Sequence, residues 1–331
     1  MLYELMKIHF LDTEFNEFEL EDGKILTLLH SKIIDKDNIQ MIKDIIGEIS
    51  FLGVFSGTPV FIKKGQEYFE NSFESRSYLD KETHLYSQVV QNFLLNSWFV
   101  KDNSMNSAEM YGIVIQDGVV LYSSINNLDS YTMADGRFRT TTFNASEFEK
   151  LLDYQNKISN LGHSKFDHME KMQQTLPTYI SNGISVVHEE KIERFVEYGR
   201  FLRAYEFIRE ARKTSFVPGK LINYCCAIET LVVFEKEKIN YQVKNNTKIL
   251  LDHFDPNNNF SKRMIDEIYN GRSIYVHGDN FGSRLKKQLD DYSIKADEIL
   301  RTILCRILDN NLENFIDSLN NSEMKEWIKS L

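Results

Sequence analysis

The spacing of hydrophobic residues divides the chain into two regions of different character. In residues 1–145, short apolar runs alternate with segments of helical period. Residues 24–29 are predicted to form a strand, and residues 35–49 and 82–99 are predicted to form helices, because their apolar positions match the period of each element. The first region is therefore predicted to be a compact α+β module.

The clearest turn signal in this region is Asp117–Gly118. It separates the apolar runs 113–116 and 119–123, and both central residues of a type I′ turn need a positive φ, which Asp and Gly tolerate. A β-hairpin is predicted here. Residues 51–55 and 60–63 are predicted to form a second strand pair, and residues 137–143 are a further candidate strand.

From residue 144 onward the helical period dominates. A connecting helix is predicted from residue 144 to about 162, and a bundle of five helices follows it. The predicted bundle helices are 189–213, 218–234, 242–253, 260–276 and 292–319. The fold class expected for the whole chain is an α+β N-terminal module followed by an all-α helical bundle, predominantly helical.

Length and charge support a division into domains. A chain of 331 residues exceeds the usual size of one core. Residues 189–331 hold equal numbers of acidic and basic side chains, so the formal charge of −10 belongs to the first part of the chain. We predict a sensor or regulatory domain at 1–145, a helical connector at 146–184 and the bundle domain at 185–331.

Composition indicates the cellular location of the protein and the groups that it binds. The 3 cysteines form no CxxC motif, and no long uncharged run or signal segment is present in the sequence. We expect a cytoplasmic protein with no membrane contact, no metal and no cofactor. Because the chain is acidic overall, any contact with RNA should be local rather than an extended clamp.

The segment 272–277 carries the chemistry that we consider most informative. It reads Arg-Ser-Ile-Tyr-Val-His and is followed by Gly278, a helix-stop signal. An arginine fork binds a phosphodiester, and a histidine of ordinary pKa exchanges a proton near neutral pH. Arg272 and His277 together suit cleavage of RNA by its own 2′-hydroxyl group.

The reaction also predicts a homodimer. One group must deprotonate the 2′-hydroxyl and another should protonate the departing 5′-oxygen. Each chain supplies one histidine in this motif, so a second copy across a two-fold axis is the simplest source of the other. Five residues correspond to about 140° around an ideal helix, which places Arg272 and His277 on different faces.

Two segments carry a resemblance to a known family. Residues 268–278, Ile-Tyr-Asn-Gly-Arg-Ser-Ile-Tyr-Val-His-Gly, resemble the Tyr-x-x-Arg-Ser-x-x-Val-His-Gly pattern of ApeA-like HEPN domains. Residues 227–231, Ala-Ile-Glu-Thr-Leu, resemble that family's second helix, and the likeness covers about residues 185–320. It implies a dimeric helical bundle and a metal-independent endoribonuclease, often in anti-phage defence or toxicity, that leaves 2′,3′-cyclic phosphate and 5′-hydroxyl ends.

The resemblance places Arg272 and His277 at the family's catalytic positions. Ser273 stands where many relatives carry Asn, Asp or His, which leaves its supporting role open. Glu229 either orients Arg272 or forms an ordinary partly buried ion pair. Tyr269, like Tyr275, either stacks on a base or packs within the bundle.

Three basic residues follow the motif in the sequence. Arg284, Lys286 and Lys287 either attract phosphate or form a solvated face. Arg272 and His277 also have a structural interpretation, in which both side chains lie near the C-terminus of a helix and are stabilised there by the helix dipole.

The leading hypothesis is an RNA-cutting homodimer whose N-terminal domain senses an unknown activator or inhibitor. The alternatives are a catalytically inactive HEPN dimerisation or binding module, and a protein whose N-terminal half is the functional part.

Overall fold

The chain forms two compact units, each described here by itself. The computed structural model describes residues 1–20, 24–27, 34, 36–55, 60–65, 73–126, 128–165, 198–277 and 283–331. The first unit contains Met1–Met133 and Arg137–Leu152, and the second contains Ala134–Gly136 and Asp153–Leu331. The protein is predominantly helical with a small N-terminal sheet region, as the hydrophobic pattern predicts.

The first unit is built on an antiparallel sheet with the strand order β3-β4-β5-β1-β6-β7. A separate parallel pair joins β2 to β8. The strands are β1 (Leu2–Lys7), β2 (Leu11–Thr13), β3 (Glu17–Glu19), β4 (Lys24–Thr27), β5 (Val60–Gly65), β6 (Met110–Gln116), β7 (Val119–Ile125) and β8 (Thr141–Phe143).

Helices cover both faces of this sheet. They are α1 (Lys36–Ile46), α2 (Glu48–Phe55) and α3 (Phe73–Asn96), followed later by α4 (Ala145–Lys165). Because side chains alternate along a strand, Leu5 and Ile113 reach the core under α1 and α2, whereas Leu2 and Val114 contact Leu79 of α3. This two-sided burial explains why β1 and β6 are buried along almost their whole length, although β1 includes Glu4.

The hairpin prediction is confirmed, and of the strand pair predicted at 51–55 and 60–63 only residues 60–63 form a strand, within β5. Asp117 and Gly118 have φ values of 50° and 76°, as a type I′ turn requires. Phe51 and Phe55, predicted to begin and end a strand, instead lie on one face of α2, with ring centroids 4.7 Å apart. A short apolar run fits either a strand or a buried helix, and here packing against the sheet selects the helix.

Two other predictions in this unit need correction. The single helix expected at 35–49 is divided at Gly47, whose φ of +83° ends α1 before α2 begins. Of the candidate strand 137–143, only Thr141–Phe143 pairs with a neighbour, namely β2.

The second unit contains the second half of α4 and a set of helices. They are α5 (Arg200–Lys213), α6 (Val217–Val232), α7 (Ile239–Phe254), α8 (Lys262–His277), α9 (Ser283–Asp309), α10 (Glu313–Ser318) and α11 (Asn321–Ser330). The helix α6 packs against α5, α7, α8 and α9 and so forms the centre of this unit. Its residues Leu221, Ile228 and Val232 are buried, as predicted.

Helix boundaries differ from the predictions at the start of α5 and at both ends of α9, which begins at Ser283 rather than at residue 292. The predicted helix 292–319 is wrong as a single element, because α9 ends at Asp309 and Asn311 has a φ of 53°, which a continuing helix does not allow. Helix α5 begins after Gly199, which is extended, so the helix predicted from residue 189 does not continue through this point. Residues 189–197 lie outside the described part of the chain.

No helix among the described residues is both long enough and apolar enough to cross a membrane.

Candidate functional site

A cluster of polar side chains lies where α6 packs against α8. Helix α8 contributes Tyr269 and Arg272, and α6 contributes Cys225, Cys226 and Glu229. Gly271 lies at a close approach between helices, since an added Cβ there would be 3.5 Å from Leu221 Cδ2 and 3.1 Å from Tyr292 Cδ2. The lack of a side chain at this position therefore helps to bring Arg272 to α6.

Glu229 is the centre of the cluster. The Tyr269 hydroxyl donates a hydrogen bond of 2.7 Å to Glu229 Oε1, and Arg272 Nη2 lies 3.4 Å from the same oxygen. The Arg272 and Glu229 side chains are 22% and 24% exposed, so the ion pair is partly buried rather than freely solvated. The structure thus joins three of the residues that the sequence singled out.

Two further groups surround the guanidinium of Arg272. Its Cζ atom lies 5.5 Å from the centroid of the Tyr269 ring, within the range of a cation–π contact. The Cys226 side chain is in hydrogen-bonding contact with Arg272. The Nε atom is buried and makes no hydrogen bond to any described residue. Arg272 is therefore held by several neighbours while keeping unused hydrogen-bonding capacity.

Electrostatics fix the protonation states in the cluster. Burial lowers the pKa of Arg272, but the charge of Glu229 and smaller effects of Tyr269 and the two cysteines outweigh it and raise the pKa overall. Burial, reinforced by the hydrogen bond to Glu229, raises the pKa of the Tyr269 phenol. At neutral pH the cluster therefore offers a fixed cation and a neutral phenol.

Both thiols are also neutral at neutral pH. Burial raises the pKa of Cys225 and of Cys226, and the charge of Glu229 adds to this effect while Arg272 opposes it. A cluster of this composition can bind an anion through Arg272, but neither its phenol nor its thiols act as a base near neutral pH. Because Glu229 Oε1 is already engaged by Tyr269 and Arg272, the base of the proposed reaction would have to come from another residue.

The structure describes the side chains of only some of the remaining predicted site residues. Ser273 follows Arg272 on α8 and is half-buried. His277 is the last residue of α8, and its side chain lies outside the described part of the structure, as does that of Tyr275. Helix α9 contains Arg284, Lys286 and Lys287, whose side chains are likewise not described. The roles of His277 and of these three basic residues therefore stay predictions.

Sequence reasoning did not assign Cys226 to this site. The sequence feature that could have identified Cys226 is its position three residues before Glu229 on the same helix, because this spacing brings two side chains together on one face. Among the described residues, no group of three or more His, Cys, Asp or Glu side chains is arranged to hold a metal ion. His163, His168 and His188 have side chains outside that description.

Comparison of the chain with protein-family models, with curated proteins and with solved structures found no match. The resemblance to HEPN domains therefore rests on the residues of α6 and α8 quoted above.

Proposed function

We propose that the chain is a metal-independent endoribonuclease of the HEPN type, with Arg272 and His277 as its catalytic residues. The observation that supports this best is the position of Arg272. It lies on α8 five residues before His277, held by Glu229 and the ring of Tyr269. A guanidinium held from several sides is suited to a phosphate, because its donors need little reorganisation to bind an anion.

The proposed reaction breaks the RNA chain without added water. The ribose 2′-oxygen attacks the adjacent phosphorus and loses its proton to a base, the P–O5′ bond breaks, and the departing 5′-oxygen takes up a proton. The products are a 2′,3′-cyclic phosphate and a 5′-hydroxyl end. In this scheme Arg272 binds the phosphate oxygens and stabilises the charge on the pentavalent transition state, and His277 exchanges the protons.

We propose that the active form is a homodimer. The reaction needs a proton acceptor and a proton donor, and the motif supplies one histidine per chain. The Tyr269 phenol and the Cys226 thiol have pKa values raised by burial, which makes them poor bases near neutral pH. A second copy of His277 from a partner chain would complete the pair.

The N-terminal part, predicted as a domain at 1–145, is proposed to sense an activator or inhibitor of this nuclease. By the resemblance, the biological setting would be anti-phage defence or toxicity in the cytoplasm. Deletion of residues 1–145 should then release the nuclease and increase toxicity on expression. If the N-terminal part is itself the functional domain, the deletion should instead abolish the effect of the protein.

The direct test is analysis of RNA ends after expression of the full chain. Wild type should give fragments with 2′,3′-cyclic phosphate and 5′-hydroxyl ends, and purified protein should cleave RNA in EDTA. Arg272→Ala and His277→Ala should lose both activities. Arg263→Ala and His253→Ala are matched controls, because both residues belong to the same unit and are exposed. Equal fragmentation by wild type and His277→Ala would exclude the proposal.

The alternative is a catalytically inactive HEPN module that dimerises or binds a partner. The ion pair between Arg272 and Glu229 favours it, because such a pair also has a purely structural use in joining α8 to α6. This alternative predicts that Arg272→Ala lowers stability while RNA remains intact with wild type, even when the biological trigger is present.

A further inference from the structure

A pair of exposed aromatic rings lies in the first unit, outside the site described above. The rings of Phe10 and Phe138 are stacked with their centroids 5.2 Å apart and their planes at 25°. Phe10 is 36% exposed and Phe138 is 45% exposed. Most of the large aromatic side chains whose burial the structure describes in this unit are buried, as Trp98 and Phe99 are, so two adjacent exposed phenyl rings call for an explanation beyond core packing.

The backbone around these rings is held in place by hydrogen bonds. The Thr141 amide donates to the Phe10 carbonyl over 3.0 Å. Ser104 fixes Arg139 twice, since its Oγ donates to the Arg139 carbonyl and accepts from the Arg139 amide, both at 2.9 Å. The Met133 amide donates to the Arg137 carbonyl over 3.0 Å. Phe10 and Phe138 are therefore presented on a well-anchored backbone.

Phe10 also occupies a strained conformation. Its φ is 59°, in the left-handed region that Gly, Asn and Asp tolerate and that bulky residues avoid. A glycine or asparagine here would relieve the strain. Burial of the phenyl ring does not fully offset the conformational free energy of this φ value, because more than a third of Phe10 stays exposed. Strain retained at an exposed ring points towards a binding role.

Two arginines flank Phe138 in the sequence. The sequence at 137–139 is Arg-Phe-Arg, and all three residues are exposed. In a chain whose formal charge is −10, the two exposed arginines place basic side chains on either side of Phe138 in the sequence. Aromatic faces that stack on bases, combined with arginines that contact phosphate, are the features by which proteins hold single-stranded nucleic acid.

We propose that Phe10 and Phe138, with Arg137 and Arg139, form a binding surface for single-stranded RNA. A base stacks against the aromatic pair, and the arginines contact the flanking phosphates. A double helix does not fit, because its bases are already stacked and paired. The choice of RNA over DNA rests on the proposed ribonuclease function, whereas the recognition of a single strand rests on the rings and charges alone. A small surface of this kind agrees with the local RNA contact expected for an acidic chain.

The test measures binding separately from cleavage. Fluorescence anisotropy is recorded with labelled 12-nucleotide oligouridine and the full-length chain in a His277→Ala background, so that the RNA stays intact. Phe138→Leu removes the ring but keeps an apolar side chain, and it should raise the Kd about tenfold or more. Arg137→Gln combined with Arg139→Gln should weaken binding and reduce its salt dependence. Tyr122→Ala is the matched control, since Tyr122 is 57% exposed on β7 of the same unit, and it should leave the Kd unchanged.

Each outcome decides the proposal. Phe138→Trp should retain binding because it restores a ring face, and thermal unfolding identifies any variant that fails to fold. An unchanged Kd in a folded Phe138→Leu variant, or no binding of oligouridine by the His277→Ala chain itself, would overturn the proposal; the latter would favour an acidic protein surface as the ligand. Tighter binding of RNA duplex than of single strand would overturn it as well. Oligodeoxythymidine of the same length separates RNA from DNA.

Failure of the nuclease is distinguishable from failure of this surface. If oligouridine binds and depends on Phe138 but wild type never cleaves RNA, only the proposed ribonuclease function fails. If wild type cleaves RNA and Phe138→Leu binds normally, only the surface fails.

Discussion

Arg272 and Glu229 join α8 to α6 through an ion pair of 3.4 Å, and Tyr269 donates a hydrogen bond to the same carboxylate oxygen. One acidic side chain on α6 therefore positions two residues of the helix that carries the proposed catalytic motif. Loss of Glu229 would leave the Tyr269 hydroxyl and the guanidinium without their shared acceptor. The cluster thus links local stability to the geometry of the candidate site.

The first prediction concerns the stability of this cluster. We expect Glu229→Ala to lower the free energy of unfolding by about 1–3 kcal/mol, because two partly buried donors lose their acceptor. Tyr269→Phe should cost about 1 kcal/mol, since it removes one hydrogen bond and keeps the ring. Urea unfolding followed by circular dichroism measures both. Glu267→Ala is the control, as the Glu267 side chain on α8 is 40% exposed and pairs with the exposed Arg263, and its effect should stay within about 0.5 kcal/mol. Equal effects of the Glu229 and Glu267 substitutions would contradict the role of the cluster.

The second prediction concerns the thiol of Cys226 and needs no nuclease activity. Arg272 lowers the pKa of Cys226, although burial and Glu229 raise it overall. Arg272→Gln should therefore raise this pKa further and slow alkylation by iodoacetamide at a fixed pH, since the thiolate is the reactive form. Mass spectrometry of the modified peptides gives the rate for each cysteine.

Cys305 provides the internal control for this measurement. It interacts with Tyr154 on α4. Its alkylation rate should be the same in wild type and in Arg272→Gln. A faster reaction of Cys226 in the variant would show that the main effect of Arg272 is to shield the thiol sterically from iodoacetamide.

The third prediction is a loss of stability at alkaline pH through Tyr111. Burial raises the pKa of Tyr111 to about 12, helped by Glu109, which accepts a hydrogen bond of 2.7 Å from its hydroxyl, and opposed by Ser50. Because the unfolded chain loses this proton near pH 10, the contribution is fully present below pH 10 and is lost as the pH rises through 12.

The comparison of wild type with Tyr111→Phe isolates this contribution. The unfolding free energy of wild type should fall by about 2 kcal/mol more than that of Tyr111→Phe between pH 9 and pH 12. Parallel curves for wild type and Tyr111→Phe would argue against a buried phenol at this position.

The fourth prediction concerns the contact between the sheet and α3. A Cβ atom at Gly112 would lie 2.0 Å from Thr83 Oγ1 and 3.2 Å from Leu79 Cδ1. Gly112→Ala should therefore destabilise the protein by about 1–3 kcal/mol through overpacking. Combining it with Thr83→Ala removes the closest atom and should recover part of the loss. Additive effects of the two substitutions in thermal unfolding would show that these residues do not contact each other.

The hydrophobic pattern predicted element types better than element ends. The hairpin at Asp117–Gly118 was predictable because its turn chemistry is local. The division of α1 from α2 at Gly47 and the end of α9 before Asn311 were not, because a helical period continues through both points while the backbone φ does not. Residues 51–55 were assigned to a strand because a short apolar run carries no period that excludes a helix.

The sequence by itself determined the helical character of the second half, the Asp117–Gly118 hairpin and the motif that contains Arg272 and His277, since these follow from local periodicity and residue chemistry. Only the tertiary structure decided that Tyr269, Arg272 and Cys226 meet at Glu229, and that Phe10 stacks on Phe138. Such contacts join residues up to 128 positions apart, as Phe10 and Phe138 are. They depend on how helices and loops pack in space, and no local pattern encodes that arrangement.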